Sequence, residues 1–234
     1  MKNFQIIKAL SSSSAVTGKA KDNSSMFIAG GTNLVDLMKK NIVAPDKLVD
    51  INGLDLKKIE FLKGKVSIGA LAKNSQVAED TSIKEKYPLL ALALAAGASQ
   101  QIRHMATVGG NMLQRTRCSY FYNTDMPCNK RTPKSGCGAI GGSNRMHAIF
   151  GASDSCIAVH PSDMCVALAA LDAKVLVEGP KGKREIDFTD FHRLPGNTPE
   201  KDNKLDEREL ITSVEIPDNN FTNNVHYLNV RDRT

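Results

Sequence analysis

The sequence predicts an α+β fold, and three observations carry that reading. Short strand-like apolar runs are interleaved with short Ala/Leu-rich helical stretches, without a strict β-α-β repeat. Hydrophobic residues make up 41% of the chain, enough to build a packed core rather than a disordered polymer. No internal repeat or low-complexity linker interrupts the 234 residues, a length that suits one domain or two small lobes.

Taken in order, Phe4–Leu10 alternates weakly and reads as an edge strand. Ser11–Ser14 is a turn or helix start. Met26–Ile28 is a short strand entering a tight turn at Gly30 and Gly31, and Asn33–Lys40 is an amphipathic helix with Lys39 and Lys40 at its C-terminal end. Lys47–Ile51 is a strand stopped by Asn52-Gly53. Ile59–Leu62 and Val66–Ala70 bracket Lys63-Gly64-Lys65 as a hairpin. Asn74 or Ser75 is the expected cap of a helix running to Glu79. Leu89–Ala96 reads as a buried structural helix with Gly97 as its terminal C′ residue. Gln101–Leu113 is expected to be extended, with a second glycine turn at Gly109-Gly110. Order resumes at Pro161, with Ser162 capping a helix over Asp163–Leu171. Strands are expected at Lys174–Glu178, Arg184–Phe188 and Glu209–Ile216, with one more at Val225–Val230, and Leu194–Lys204 is a polar loop.

Charge narrows the function classes. The formal net charge is +6, and the excess is local. Between Gln101 and His147 stand Arg103, Arg115, Arg117, Lys130, Arg131, Lys134 and Arg145, against Asp125 alone. That pattern suits a bound anion, a negative cluster or an acidic partner surface. No nucleic-acid recognition motif or Lys/Arg run accompanies it. No run of 18 apolar residues is present and no signal-peptide pattern opens the chain, so no membrane span is expected. The expected compartment is the cytoplasm, or the periplasm if a signal-bearing partner carries the chain across.

Two constellations carry chemistry. The first is the pair of glycine turns, Met26-Phe27-Ile28-Ala29-Gly30-Gly31-Thr32-Asn33-Leu34 and Thr107-Val108-Gly109-Gly110-Asn111. Glycine lets backbone N–H groups approach a ligand closely, and such groups bind anions. Two such turns suit an extended diphosphate ligand. Neither matches the Gly-x-Gly-x-x-Gly or Walker patterns, and an ordinary strand–turn–helix link is the competing reading. The second constellation lies in Gln114–Val159, which has 5 Gly, 2 Pro and 4 Cys and no sustained periodicity. A loop that long needs its own organiser. Cys118, Cys128, Cys137 and Cys156 are separated by nine, eight and eighteen residues, unlike the paired cysteines of structural zinc or the common ferredoxin run. An iron–sulfur site, a zinc site and free thiols all stay open on spacing alone. Cys165 sits on an Ala/Leu helix and reads as core. His104, His147 and His160 flank these features and read as structural. Tyr120-Phe121-Tyr122 either shields a cluster or simply packs the loop. Asp163 is either a helix-dipole carboxylate or an acceptor for a ligand ribose or ring.

These residues resemble the FAD-binding subunit of the xanthine dehydrogenase and molybdenum hydroxylase family. Phe27–Met38 looks like the first flavin motif, Ala106–Asn111 like the second, and His160-Pro-Ser-Asp-Met164 like the segment whose Asp reaches the flavin. The strongest likeness is to the medium subunit of periplasmic-type aldehyde oxidoreductases. There, Gln114–Cys118, Tyr120–Tyr122, Pro127–Arg131 and Ser135–Cys137 recur inside an insertion that carries a 4Fe–4S cluster, with Cys118, Cys128, Cys137 and Cys156 at the four ligand positions.

The resemblance implies the two-lobed FAD-binding fold of the vanillyl-alcohol oxidase and molybdopterin dehydrogenase type. An N-terminal lobe would span residues 1–56. A second lobe would span 57–220, with the insertion at about 114–159, and 221–234 would begin a truncated C-terminal domain. FAD would lie on Met26 to Leu34 together with Thr107, Gly110, Asn111 and Asp163. Asn229 stands where the family often has Lys. No residue is implied as an acid–base catalyst. Implied partners are a large molybdenum-cofactor subunit and a small 2Fe–2S subunit, with electrons passing through the FAD to an external acceptor. The alternatives are a stand-alone flavin reductase on the same lobes, an interaction module built on a four-cysteine zinc site and, more weakly, Arg-rich nucleic-acid binding.

Overall fold

The computed structural model describes residues 1–220 and 222–230. Two sheets organise it, and the mixture of helices and strands expected from the sequence holds. The first sheet is parallel, order β1-β3-β2, formed by β1 (Gln5–Lys8), β2 (Ser25–Ile28) and β3 (Lys47–Asp50). The crossovers are α1 (Ser12–Ala20) and α2 (Leu34–Lys39), so this part is a compact β-α-β-α-β unit. The Ser11–Ser14 run hides α1 in the sequence. It forms a capping box, in which Ser11 Oγ accepts from Ser14 N–H and Ser14 Oγ accepts from Ser11 N–H.

The second sheet is antiparallel throughout, order β4-β5-β8-β6-β7. Its strands are β4 (Ile59–Leu62), β5 (Lys65–Gly69), β6 (Lys174–Gly179), β7 (Gly182–Asp187) and β8 (Leu210–Pro217). One face packs α3 (Asn74–Glu79), α4 (Thr81–Lys86), α5 (Pro88–Ala96) and α9 (Asp163–Ala170) into the main core, which includes Val66, Ile68, Leu90, Leu94, Met164, Leu168 and Phe191. The second core joins the sheets: Ala15, Val16, Val49 and Ile51 pack with Leu71 and Leu210. The remaining helices are α6 (Gln100–Met105), α7 (Val108–Met112), α8 (Ser119–Tyr122) and α10 (Phe188–Phe191).

Several expectations are corrected. Gln101–Leu113 is not extended but forms α6 and α7. The Ser99 hydroxyl caps α6 by accepting from Ile102 N–H, and Thr107 Oγ1 caps α7 by accepting from Gly110 N–H at 3.2 Å. Helix α3 is entered from Lys73, whose N–H is taken by the Gln76 side chain, so Asn74 and Ser75 lie buried inside its first turn. Gly97 ends α5 with an extended backbone rather than a left-handed one. Val225–Val230 forms no strand. The Tyr227 hydroxyl and Asn229 amide instead donate to Asp163 Oδ1. The terminal Arg231–Thr234 lies outside the described residues.

Met112 ends α7 with its carbonyl accepting from Nε2–H of both His160 (3.2 Å) and His192 (2.9 Å). The two rings lie 4.2 Å apart beside the buried Cys165, whose thiol burial pushes up to about 12. Burial lowers His160 from 6.5 to about 4, reinforced by His192, and also lowers His192, while Asp202 opposes both shifts and Lys130 adds to that on His160. Lowered histidines charge more readily in the unfolded chain, so they stabilise the fold above about 6.5 and lose that contribution as pH falls toward about 4. The melting temperature is therefore expected to fall across that interval, with a shallower slope in the His192→Gln variant, as scanning calorimetry would show. Phe191→Ala, at a fully buried position, is expected to cost about 3–5 kcal/mol in denaturant unfolding.

Candidate functional site

The site begins with a close approach of two backbones. At Gly30 a Cβ would stand 2.0 Å from the Met105 carbonyl oxygen, which a side chain cannot do. The same carbonyl accepts from Lys73 Nζ at 2.9 Å. The chain after α6 is stitched to the second sheet: Asn74 N–H donates to Ala106 O, Val108 N–H to Ala72 O, and Gly109 N–H to Ala70 O. Gly31 sits at φ +73°, where glycine is favoured, and its carbonyl accepts from Val35 N–H as α2 starts. Asn52, after β3, donates its amide to the Ala29 carbonyl at 3.0 Å.

These contacts bring the two glycine segments to one groove of about 240 Å³. Met26, Phe27, Ile28, Ala29, Gly30, Gly31, Thr32, Asn33 and Leu34 line it, together with Thr107 and Gly110. Asn111 and Asp163 are not in that groove. They line a smaller cavity with Gly97, Arg103 and Gln114. Asn111 Oδ1 accepts from the Ser162 hydroxyl and from Gln114 Nε2. Arg103 closes the exposed end of α5 by donating to the carbonyls of Ala95, Gly97 and Ala98.

The groove is largely apolar, with a few polar groups set along it. Asn33 Nδ2 is buried without a partner at normal hydrogen-bond distance, with only a looser approach of the Tyr122 hydroxyl. Its Oδ1 is taken by Arg115 N–H at 2.9 Å. Arg115 also lines the groove, while its guanidinium lies over the Phe121 ring at 4.9 Å and donates to Asp202 at 2.7 Å.

Arg115 leads directly into the cysteine insertion. Cys118, Cys128, Cys137 and Cys156 all line one small cavity, bounded by Tyr120, Phe121, Pro127 and Lys130. All four are unpaired thiols. Phe121 is fully buried and packs with Cys128 on Leu37 of α2, so the insertion rests on the helix that the first glycine turn begins. Tyr120 fits because Gly138 and Gly142 leave room for its ring, and its hydroxyl accepts from Ser143 N–H. Arg131 donates to the carbonyls of Tyr120, Phe121, Thr124 and Met126. Lys130 pairs with Asp202 and donates to the Pro199 carbonyl.

Four thiolates on one zinc ion would sit about 3.8 Å apart, from Zn–S bonds of about 2.3 Å. Among the described residues, the group of three or more metal-binding side chains with ligand atoms within 4.8 Å of one another is His160, Cys165 and His192, and the four cysteines do not form such a group. Four thiols around one cavity are a donor set that zinc and iron–sulfur centres share. Burial raises the Cys118 and Cys156 thiols, and nearby Cys128 and Cys137 push in the same direction. A bound metal reverses that preference and holds the thiolates.

The reading of the residues foresaw the two glycine segments and the four cysteines. It missed Arg115 as the joint between them, Asn52 on the Ala29 carbonyl, Lys73 on the Met105 carbonyl, and His147, whose Nε2 lies 3.1 Å from Cys118 Sγ. The position of His147 inside the cysteine block was the available signal.

With this geometry, the matches to known proteins have a clear meaning. The model of the FAD binding domain in molybdopterin dehydrogenase matches residues 2–219, and the chain belongs to that family. Within it, the chain is 47% identical over 235 aligned positions to the aldehyde oxidoreductase FAD-binding subunit PaoB of Escherichia coli strain K12, covering all of this chain and 74% of that protein. It is 26% identical to the glyceraldehyde dehydrogenase medium chain of Sulfolobus acidocaldarius, covering 92% of this chain and 59% of the relative. A solved carbon monoxide dehydrogenase from Hydrogenophaga pseudoflava superposes with TM-score 0.68 at 21% identity, covering 94% of this chain and 60% of the other. Quinoline 2-oxidoreductase from Pseudomonas putida 86 gives 0.66 at 24% identity, covering 94% and 61%. At those identities the two structures bear on the fold alone. Among the described residues, no helix is long and apolar enough to cross a membrane.

Gly30→Ala is expected to remove most of the bound flavin, because its Cβ would meet backbone rather than a movable side chain. Gly64→Ala, at φ +79° on a hairpin tip with nothing within 4 Å, is expected to cost about 1–2 kcal/mol and leave the flavin-to-protein absorbance ratio unchanged.

Proposed function

We propose that this chain is the FAD-binding electron-transfer subunit of a molybdenum-containing aldehyde oxidoreductase, with a 4Fe–4S cluster on Cys118, Cys128, Cys137 and Cys156. The observation that carries the reading is the convergence of four cysteine thiols on one enclosed cavity, packed on the helix that begins at the flavin turn. The 47% identity to an aldehyde oxidoreductase FAD-binding subunit over the whole chain supports the same assignment. In this reading residues 1–56 form the first FAD lobe and 57–220 the second, with the insertion at about 114–159. A large molybdenum-cofactor subunit would oxidise the aldehyde, and a small 2Fe–2S subunit would deliver the electrons.

The cofactors supply the redox chemistry, flavin standing between one-electron centres and an external acceptor. The chain's own residues bind and orient. Gly30, Gly31 and Thr32 would present backbone to the diphosphate, with Thr107 and Gly110 lining the same groove. Asn33, whose amide nitrogen is buried with only a loose approach from Tyr122, would turn that amide toward the ligand. Asn111 and Asp163 would receive the ribityl or ring end from the adjoining cavity. Tyr120 and Phe121 exclude water from the cysteine cavity. No side chain is assigned a proton-transfer role.

Anaerobic purification with cofactor extraction and iron assay tests the proposal. Flavin bands in the blue over a broad iron–sulfur shoulder, with close to four irons per chain, are the expected result. A colourless, zinc-loaded protein would overturn it. Cys128→Ser is expected to abolish the 4Fe–4S signal while retaining flavin, and unchanged iron content in that variant would contradict the ligand assignment.

A further inference from the structure

We propose that His147 is a positioning residue for the cysteine-held cluster, donating its Nε2–H to the Cys118 sulfur and raising the cluster's reduction potential. The inference rests on the reading of the four cysteines as cluster ligands. Its own basis is the geometry around one imidazole.

His147 Nε2 stands 3.1 Å from Cys118 Sγ. That is a hydrogen-bond distance for sulfur. It is shorter than the separation of two ligands sharing one tetrahedral ion, about 3.5 Å from metal–sulfur and metal–nitrogen bonds of about 2.3 and 2.0 Å. That distance suits a donor to the ligand sulfur better than a further ligand on the same ion. Its tautomer follows from the other ring nitrogen. Nδ1 is buried and has no hydrogen-bond partner. A proton on Nδ1 would leave a buried donor unsatisfied and would turn the Nε2 lone pair toward the thiolate. A proton on Nε2 leaves only an unused acceptor and aims a donor at negative charge.

The ring is held in that orientation. His147 N–H donates to the Asn144 carbonyl at 2.9 Å, and Ala148 N–H donates to Ile157 O at 2.8 Å, which ties the segment to the chain just after Cys156. Tyr120 lies tilted against the imidazole, with ring centroids 6.4 Å apart. Cys118 also faces the backbone N–H groups of Tyr120 and Phe121, and Cys156 accepts from Ala158 N–H at 3.4 Å. Those donors belong to the backbone and survive any side-chain replacement. His147 is a side-chain donor to a ligand sulfur, so its effect can be removed without breaking the loop. A hydrogen bond withdraws charge from the thiolate. The reduced cluster carries the extra electron, so it gains more from the bond than the oxidised one.

The test uses the full-length protein, purified anaerobically with any subunits that accompany it. The readouts are iron content and an EPR-monitored redox titration. His147→Phe and His147→Gln are expected to keep the wild-type iron content. At the potential where the wild-type cluster is half reduced, the reduced-to-oxidised ratio in His147→Phe is expected to fall about tenfold, 59 mV for one electron. His147→Gln, which keeps an N–H donor, is expected to recover part of that shift. Unchanged titration in an iron-loaded His147→Phe protein would overturn the role of His147 and leave the cysteine assignment standing. An iron-free wild-type protein would overturn both. Should His147→Phe lose iron, wild-type protein labelled with ¹⁵N only in histidine decides the point by pulsed EPR. Coupling of a histidine nitrogen to the reduced cluster supports the bond, and its absence refutes it.

Discussion

The contact between the Gly30 backbone and the Met105 carbonyl is the constraint on which the site depends. A ligand that spans both glycine segments needs them lining one groove, yet they lie almost eighty residues apart, one just after β2 of the first sheet and the other in helix α7. Hydrophobic packing at Leu71 and Leu210 brings the sheets together but does not set the last few ångströms. The Met105 carbonyl sets them, because it occupies the space where any other residue at position 30 would carry its Cβ. Lys73 fixes that carbonyl from the other side. Glycine at this position serves close approach first, and ligand access follows from it.

A second joint connects the groove to the cysteine cavity. Arg115 meets the flavin turn through its backbone N–H and meets the insertion through its side chain. Helix α2 provides the parallel route, since it starts at the flavin turn and buries Leu37 under Phe121. Two short, packed connections of this kind hold the groove and the cysteine cavity at a defined separation. That serves an electron-transfer subunit better than a flexible insertion would. It also explains why a stretch without periodicity folds at all: its order comes from contacts to α2, to Asp202 and to its own carbonyls.

Much of this was legible in the residues. Strands with clear punctuation, such as Ile59–Leu62, Lys174–Glu178 and Glu209–Ile216, were found nearly at their observed limits. The four cysteines and both glycine segments were found because they carry unusual residue types. Helices α6 and α7 were missed because a Gly-Gly pair reads as a turn, whereas here Gly109 opens a short helix so that its backbone can lie against Ala70. Helices α4 and α10 are too short to show a period. Arg115, Asn52 and Lys73 were invisible for a different reason. Their importance comes from partners distant in sequence, and no local pattern reports them.

The basic excess of the insertion looked like a counter-charge for thiolates, and the structure redirects it. Arg131 spends its guanidinium on four backbone carbonyls, Arg103 on three, and Arg115 and Lys130 converge on Asp202. A chain without regular secondary structure leaves its carbonyls without partners, and arginine with five donors is the residue best able to satisfy several at once. These cations therefore replace the missing secondary structure. Around the four sulfurs, Lys130 favours the Cys156 thiolate and a few N–H donors face Cys118 and Cys156. Where most positive groups are already engaged elsewhere, the His147 imidazole, with Nε2 3.1 Å from Cys118 Sγ, is a side chain left close to a sulfur.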